Sequence, residues 1–298
     1  MTKPSLSGVI AAIATAVDHA GEPDAVRSVA LARHLLDHGC DGLNVLGTTG
    51  EATSFSLTQR KAMMSAYARA GLPMERLMVG TGAAALADAL TLTRHAAELG
   101  FAGALVLPPF YYKGVPDEGL FDYVAALIAG TADRPIPIYL YHFPANSGVP
   151  WSLTLIRRLL DAFGRRIVGL KDSSGDMAYA REAAAISRDF AVFPSTEAAL
   201  PEARGGPFAG CISATANLNA DLCARAYSQG DADALAAAVT IRKLFDGKPL
   251  VSGVKALLAH IHGDPGWARV MPPLMPFSAA DRTLAVAGYD GVRAKRVA

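Results

Sequence analysis

IVGLKDSS, residues 167–174, joins a short apolar run to a polar turn with one lysine at the junction. Residues 167–170 are apolar and β-prone, and Asp172, Ser173 and Ser174 are turn formers. A short apolar run bounded by a turn signal reads as a buried strand, here ending at Lys171. Parallel barrels and doubly wound sheets carry their chemistry at the carboxyl edge of such strands. An amine held there, desolvated enough to be uncharged, can attack a ketone and form a Schiff base. The octapeptide alone also admits a lysine that merely caps the strand or pairs with Asp172.

Outward from this stretch the same strand-then-helix unit recurs. Apolar β-like runs fall at 9–17, 42–46, 76–80, 104–107, 136–141, 167–171, 190–193 and 208–213. Helical patterns follow them at 24–37, 58–69, 86–99, 117–128, 153–160, 177–187, 197–202 and 219–227. Such alternation implies crossover connections and a parallel sheet. Eight units in roughly 220 residues predict an α/β fold, a closed (β/α)8 TIM barrel, and no Gly-x-Gly-x-x-Gly fingerprint argues for an open nucleotide-binding sheet. Gly39, Gly100 and Gly164 precede strands and suit helix C-termini. Thr58 and Ser152 suit helix N-caps. From Gly230 the alternation stops and helical patterns at 231–245, 251–262 and 279–287 follow. The division is therefore a catalytic barrel over 1–229 and a C-terminal helical domain over 230–298.

The chain of 298 residues is 51% hydrophobic, enough for a large core, and its 28 basic and 27 acidic residues are intermixed. No basic stripe marks a nucleic-acid surface. The short basic tail Arg293-Ala294-Lys295-Arg296 reads as a solvated end. Cys40, Cys211 and Cys223 lack metal-ligand spacing, and their odd count favours free thiols in a reducing, cytoplasmic setting. The apolar run 9–17, preceded by Lys3, has the look of a secretory core but is short and ends in a turn, so it reads as the first strand. No run reaches the ~18 apolar residues of a membrane span.

Three further clusters fall at strand ends. Gly47-Thr48-Thr49-Gly50-Glu51 is a tight turn whose backbone N–H groups and hydroxyls can hold a carboxylate, although an ordinary glycine-flanked turn looks the same. Pro109-Phe110-Tyr111-Tyr112-Lys113 places two tyrosines on a loop, a pattern equally suited to an interface. Tyr141 ends the strand before that of Lys171, and neighbouring strands lie ~5 Å apart, so phenol and amine can share a pocket. Such a phenol suits proton transfer during carbinolamine formation and dehydration, and a core tyrosine is the alternative. His142 has the opposite strand parity and reads as outward and structural.

These clusters together resemble the dihydrodipicolinate synthase / N-acetylneuraminate lyase family. The matching segments are Gly47-Thr48-Thr49-Gly50-Glu51, Tyr111-Tyr112, Tyr141-x-x-Pro144, Gly169-x-Lys171 and residues 210–217, GCISATAN. The resemblance implies a class I aldolase or lyase on a (β/α)8 barrel, commonly a homotetramer built as a dimer of dimers, using no metal and no cofactor. Lys171 would form the imine with pyruvate or another 2-oxo acid, and Tyr141 would relay protons. Thr48 and Thr49 would hold the carboxylate, and Thr48 would link Tyr141 to a tyrosine of a neighbouring subunit, the position matched by Tyr112 with Tyr111 beside it. The backbone near Ile212 would line the same pocket.

One departure bears on substrate. Synthases that condense pyruvate with aspartate semialdehyde carry an arginine where this chain has Asn146, and an amide cannot make the bidentate charged contact of a guanidinium. The flanking segments look closer to 4-hydroxy-2-oxoglutarate aldolases and sugar-acid lyases or dehydratases. Asn146, Ser173, Ser195 and Thr215 are expected to form the outer substrate wall. The alternatives are dihydrodipicolinate synthesis and, in another class, a non-catalytic 2-oxo-acid-binding protein.

Overall fold

The computed structural model describes residues 6–295; Lys3 and Arg296 lie outside them. Eight strands occur among these residues: β1 (Gly8–Ala12), β2 (Gly42–Val45), β3 (Leu77–Gly80), β4 (Gly103–Val106), β5 (Ile138–His142), β6 (Ile167–Asp172), β7 (Ala191–Pro194) and β8 (Gly210–Ser213). Between them run α1 (Ala25–Asp37), α2 (Leu57–Arg69), α3 (Leu86–Leu99), α4 (Asp117–Ala129), α5 (Pro144–Ser147), α6 (Leu153–Phe163), α7 (Met177–Ala184) and α8 (Leu200–Gly205). The strands are all parallel in the order β7-β6-β5-β4-β3-β2-β1-β8. Ala209 N–H donates to Val192 O at 3.0 Å across the remaining seam, so the sheet curls into a (β/α)8 TIM barrel. The C-terminal helical region is α9 (Ala216–Gln229), α10 (Ala232–Lys243), α11 (Leu250–Ile261) and α12 (Ala279–Ala294), of which α9 completes the last barrel unit.

Strand parity sorts the core into two parts. Leu43, Val45, Ile138 and Leu140 face the helices, whereas Ile10, Met78, Leu105, Tyr139, Phe193 and Ile212 fill the barrel itself. Tyr139 spans the interior and explains two glycines beside it. A Cβ on Gly103 would lie 2.5 Å from Tyr139 Cε2, and one on Gly169 2.7 Å from Tyr139 Cδ1. Those glycines leave room for the ring, which in turn supports Tyr141 and Lys171 one pleat above.

Local capping differs from expectation at one helix. Ser56, not Thr58, caps α2, because Gln59 three residues on closes a reciprocal capping box. Ser152 caps α6 as expected, with Leu155 N–H donating to its Oγ at 3.0 Å. The first strand ends at Ala12, well short of residue 17. Residues 13–17 are nonetheless buried, their apolar character serving the contact with α1 and α9: Ala16 N–H donates to Ser28 Oγ and Ala14 N–H to Asn217 Oδ1. The tail residue Arg293 is no solvated end. It binds Asp221 through both Nη atoms and donates to Leu218 O, and this anchoring extends α12 to Ala294.

His142 faces outward from β5, as parity requires, and is buried against α7. Its ring stacks on Tyr179 at 4.2 Å, and Nδ1 accepts the Trp151 N–H at 3.1 Å. Burial pulls its pKa down from 6.5 to about 4. The unfolded histidine takes up a proton near pH 6.5 while the folded one resists to about pH 4, so stability is lost as pH falls through that window. Urea midpoints measured from pH 7.5 to 4.5 should fall, and His142→Asn, which keeps an acceptor but does not titrate, should flatten the slope.

Candidate active site

The carboxyl ends of the strands open into a cavity of about 400 Å³. Its wall includes Thr48 and Thr49 after β2, Tyr141 on β5, Lys171 on β6 and Ile212 on β8. Asn146, Ser173 and Ser195 extend the wall along the loops after β5, β6 and β7. Each owes its place to the same rule: a residue at the inward parity of a strand end, or just past it, points into the barrel mouth.

Lys171 and Tyr141 are direct ladder partners on β6 and β5. Lys171 is 3% exposed, and its Nζ lies 4.3 Å from the centroid of the Tyr141 ring. Among the described residues no hydrogen-bond acceptor or carboxylate is paired with that nitrogen. Asp172, one residue on, has the opposite parity and turns outward, where its Oδ1 accepts from Ser174 N–H at 2.9 Å. Burial raises its pKa. The strand-capping and Asp172-pairing readings of Lys171 therefore lose their geometric basis. The Tyr141 hydroxyl reaches Thr48 Oγ1 at 3.1 Å, and Trp151 Nε1 donates to the Tyr141 carbonyl at 3.1 Å, which fixes that strand end from behind.

The turn after β2 is strained and clamped. Leu46 and Glu51 flank it with φ of 51° and 53°, a left-handed conformation costing about 1–3 kcal/mol at each side chain. Glu51 is held by an element distant in sequence. Its Oε1 pairs with Lys255 Nζ on α11, both side chains being fully buried, and its Oε2 accepts Met271 N–H at 2.6 Å. Desolvation lowers the Lys255 pKa, and the neighbouring Glu51 opposes that shift. The C-terminal helices thus brace the turn carrying Thr48 and Thr49.

Two groups of expected residues lie away from the wall. Thr215 was expected against substrate but is fully buried behind it, donating to Glu197 Oε1, with its N–H bonded to Ser213 Oγ at 3.2 Å. It turns away because Glu197, itself fully buried, demands hydroxyl donors. Tyr111 and Tyr112 are 75% and 72% exposed and stack edge to face at 5.2 Å. Lys113, beside them, donates to Ser147 O at 2.6 Å and ties their loop to α5. Sequence reasoning missed Arg242 on α10 and Pro249, Leu250, Val251 and Ser252 at the start of α11, all of which line the cavity. Nothing local marks them. Lys255 did leave a signal, a lone charge inside the apolar helix α11.

A model of the dihydrodipicolinate synthetase family matches residues 5–287. The chain belongs to that family. Among curated relatives, a DapA-like lyase of Chloroflexus aurantiacus is 34% identical over 269 residues, 88% of each chain. A 4-hydroxy-tetrahydrodipicolinate synthase of Synechococcus is 35% identical over 167 residues, 56% of this chain and 54% of that one. The crystal structure of dihydrodipicolinate synthase from Agrobacterium tumefaciens has a TM-score of 0.90 at 29% identity, covering 96% of this chain and 99% of the other. Among the described residues no helix is long and apolar enough to cross a membrane.

The buried clamp gives a stability test for this member of the family. Lys255→Met leaves the buried Glu51 carboxylate without its cation, with only the Met271 N–H as donor, and should cost about 3–5 kcal/mol in urea denaturation. The double variant Glu51→Gln/Lys255→Met should recover much of that loss.

Proposed function

We propose that the protein binds a 2-oxo acid as an imine on Lys171 and cleaves or dehydrates it as a class I aldolase or lyase. Membership of the family makes it an enzyme of the aldolase and lyase type. The observation that carries the finer reading is the buried, unpaired Lys171 nitrogen beside a phenol whose hydroxyl is bonded to Thr48.

The chemistry follows from that arrangement. The 2-oxo acid's carboxylate rests on the turn of Thr48 and Thr49, whose N–H groups and hydroxyls supply donors without a competing charge. Lys171 Nζ attacks the C2 carbonyl, and the carbinolamine loses its hydroxyl as water after the Tyr141 hydroxyl passes it a proton. In a 4-hydroxy-2-oxo acid the C4 hydroxyl then gives its proton to the Tyr141 oxygen, left deprotonated by the dehydration, and the C3–C4 bond breaks. Its electrons move into the imine as an enamine, and an aldehyde leaves. Protonation at C3 and addition of water release pyruvate and restore the amine. Thr48 keeps the Tyr141 hydroxyl oriented through these transfers.

Tyr111 and Tyr112 fit a role outside their own subunit. Two large aromatic rings standing in solvent on a pinned loop suit burial against a second copy, where Tyr112 would extend the Tyr141–Thr48 proton path. The assembly proposed is a homotetramer, a dimer of dimers, and three buried free thiols suit a cytoplasmic setting.

Dihydrodipicolinate synthesis is the second reading, favoured by the names of the Synechococcus and Agrobacterium relatives. The neutral Asn146 on the cavity wall disfavours it. Asn146→Arg should raise turnover of pyruvate with aspartate semialdehyde sharply; a native rate already high and unaffected by the change would favour this second reading.

Borohydride reduction in the presence of pyruvate should add one reduced pyruvate unit to the protein, located at Lys171 by peptide mass. No adduct, or an adduct on another lysine, would sink the imine reading. Tyr141→Phe keeps the ring against Lys171 and should lower turnover roughly 10²- to 10⁴-fold. Lys171→Met should lower it by at least about 10³-fold.

A further inference from the structure

Among the described residues only two charged side chains line the cavity, Lys171 and Arg242. On the imine reading, which this inference rests on, Lys171 is taken up by C2 of the substrate and the adjacent carboxylate by the Thr48–Thr49 turn. Arg242 then has no task in the reaction.

Its surroundings hold it in place without using it up. Arg242 stands in the last turn of α10, and its Nη1 lies 3.5 Å from Ser213 Oγ at the end of β8. Arg242 therefore lines the same cavity as Ile212, Ala214 and the start of α11. Behind it is Glu197, fully buried, with Oε2 at 3.6 Å from Nη1. Oε1 of Glu197 accepts from Ser213 and Thr215, whereas Oε2 makes no hydrogen bond. Glu197 thus anchors Arg242 by charge at a distance too long to occupy its donors. A guanidinium carries five N–H donors in a planar fork. Apart from the long Ser213 contact, they have no acceptor among the described residues.

We infer that Arg242 binds a second carboxylate at the far end of the substrate, making the protein selective for 2-oxo acids with a carboxylate at both ends. The arc from Lys171 to Arg242 runs past Ser173 and Ser195, whose hydroxyls suit a 4-hydroxyl between the two acid groups. Asn146, on the opposite side of Lys171, supplies only a neutral amide. Pro249, Leu250 and Val251 line the same cavity as Arg242 with apolar surface, and an apolar setting strengthens a guanidinium–carboxylate contact. A phosphate tail fits less well, because Glu197 already offsets part of the charge and no second cation stands nearby on the wall.

The test compares Arg242→Gln and Arg242→Lys with the native enzyme on three 4-hydroxy-2-oxo acids. One ends in carboxylate, one in an uncharged polyol and one in phosphate. The native enzyme should favour the dicarboxylate. Arg242→Gln should raise its KM roughly 10- to 100-fold with kcat little changed, and Arg242→Lys should restore part of the loss. The polyol acid should be turned over alike by all three proteins. Pyruvate trapping by borohydride at Lys171 should have the same half-saturation in each, which also reports that each is folded. A native preference for the polyol or phosphate acid, or equal losses on all substrates and on pyruvate trapping, would overturn the role of Arg242 alone. Absence of trapping in the native enzyme would overturn the imine reading and this inference with it.

Discussion

The register of β5 on β6 sets two ladder partners, and the site depends on both. Tyr139 lies opposite Gly169, and Tyr141 opposite Lys171. The first allows a large ring to plug the barrel, since a side chain at position 169 would collide with it. The second sets an amine against a phenol above that plug. A one-residue slip of β6 would invert its parity and place Lys171 among the helices, and a slip of β5 would likewise bring His142 into the cavity. Packing and chemistry are thus parts of a single constraint.

The C-terminal helices complete this arrangement through two buried carboxylates. Glu51 belongs to the turn that carries Thr48 and Thr49, and Lys255 on α11 holds it. Glu197 follows β7 and holds Arg242 on α10. Burying a carboxylate is costly, and each is offset by a cation delivered from outside the barrel, with hydroxyl or backbone donors taking up further lone pairs. The helical region therefore does more than cover the barrel mouth. It holds the strained turn after β2 and adds a positive charge to the cavity wall.

The protein is a barrel lyase of the dihydrodipicolinate synthetase family, in which a strand end supplies the lysine and the loops around it supply the walls. Those walls are mixed in character. Hydroxyls of Thr48, Thr49, Ser173 and Ser195 share the lining with the apolar Pro249, Leu250 and Val251. Such a mixture suits a small polar ligand oriented by a few donors against apolar surface.

Much of the barrel was legible in the sequence because its signals are local. Strand parity, apolar periodicity and turn chemistry located eight units, the inward lysine and tyrosine, and the outward His142. Boundaries were less legible where burial and pairing diverge, as in residues 13–17, which are apolar for packing and carry no strand. Thr215 shows the same limit at the site: it was expected on the outer substrate wall, but the buried Glu197 draws its hydroxyl away. Arg242, Lys255 and the first turn of α11 left little or no trace as site residues, because their roles arise from contacts across 45 to 204 positions of chain. The sequence by itself determined the barrel, the pairing of Lys171 with Tyr141 and the Thr48–Thr49 turn beside them, since each depends on residues adjacent along the chain or at matching strand ends. Only the tertiary structure decided which charges meet at the cavity, because long-range packing alone brings α10 and α11 over the open end of the barrel.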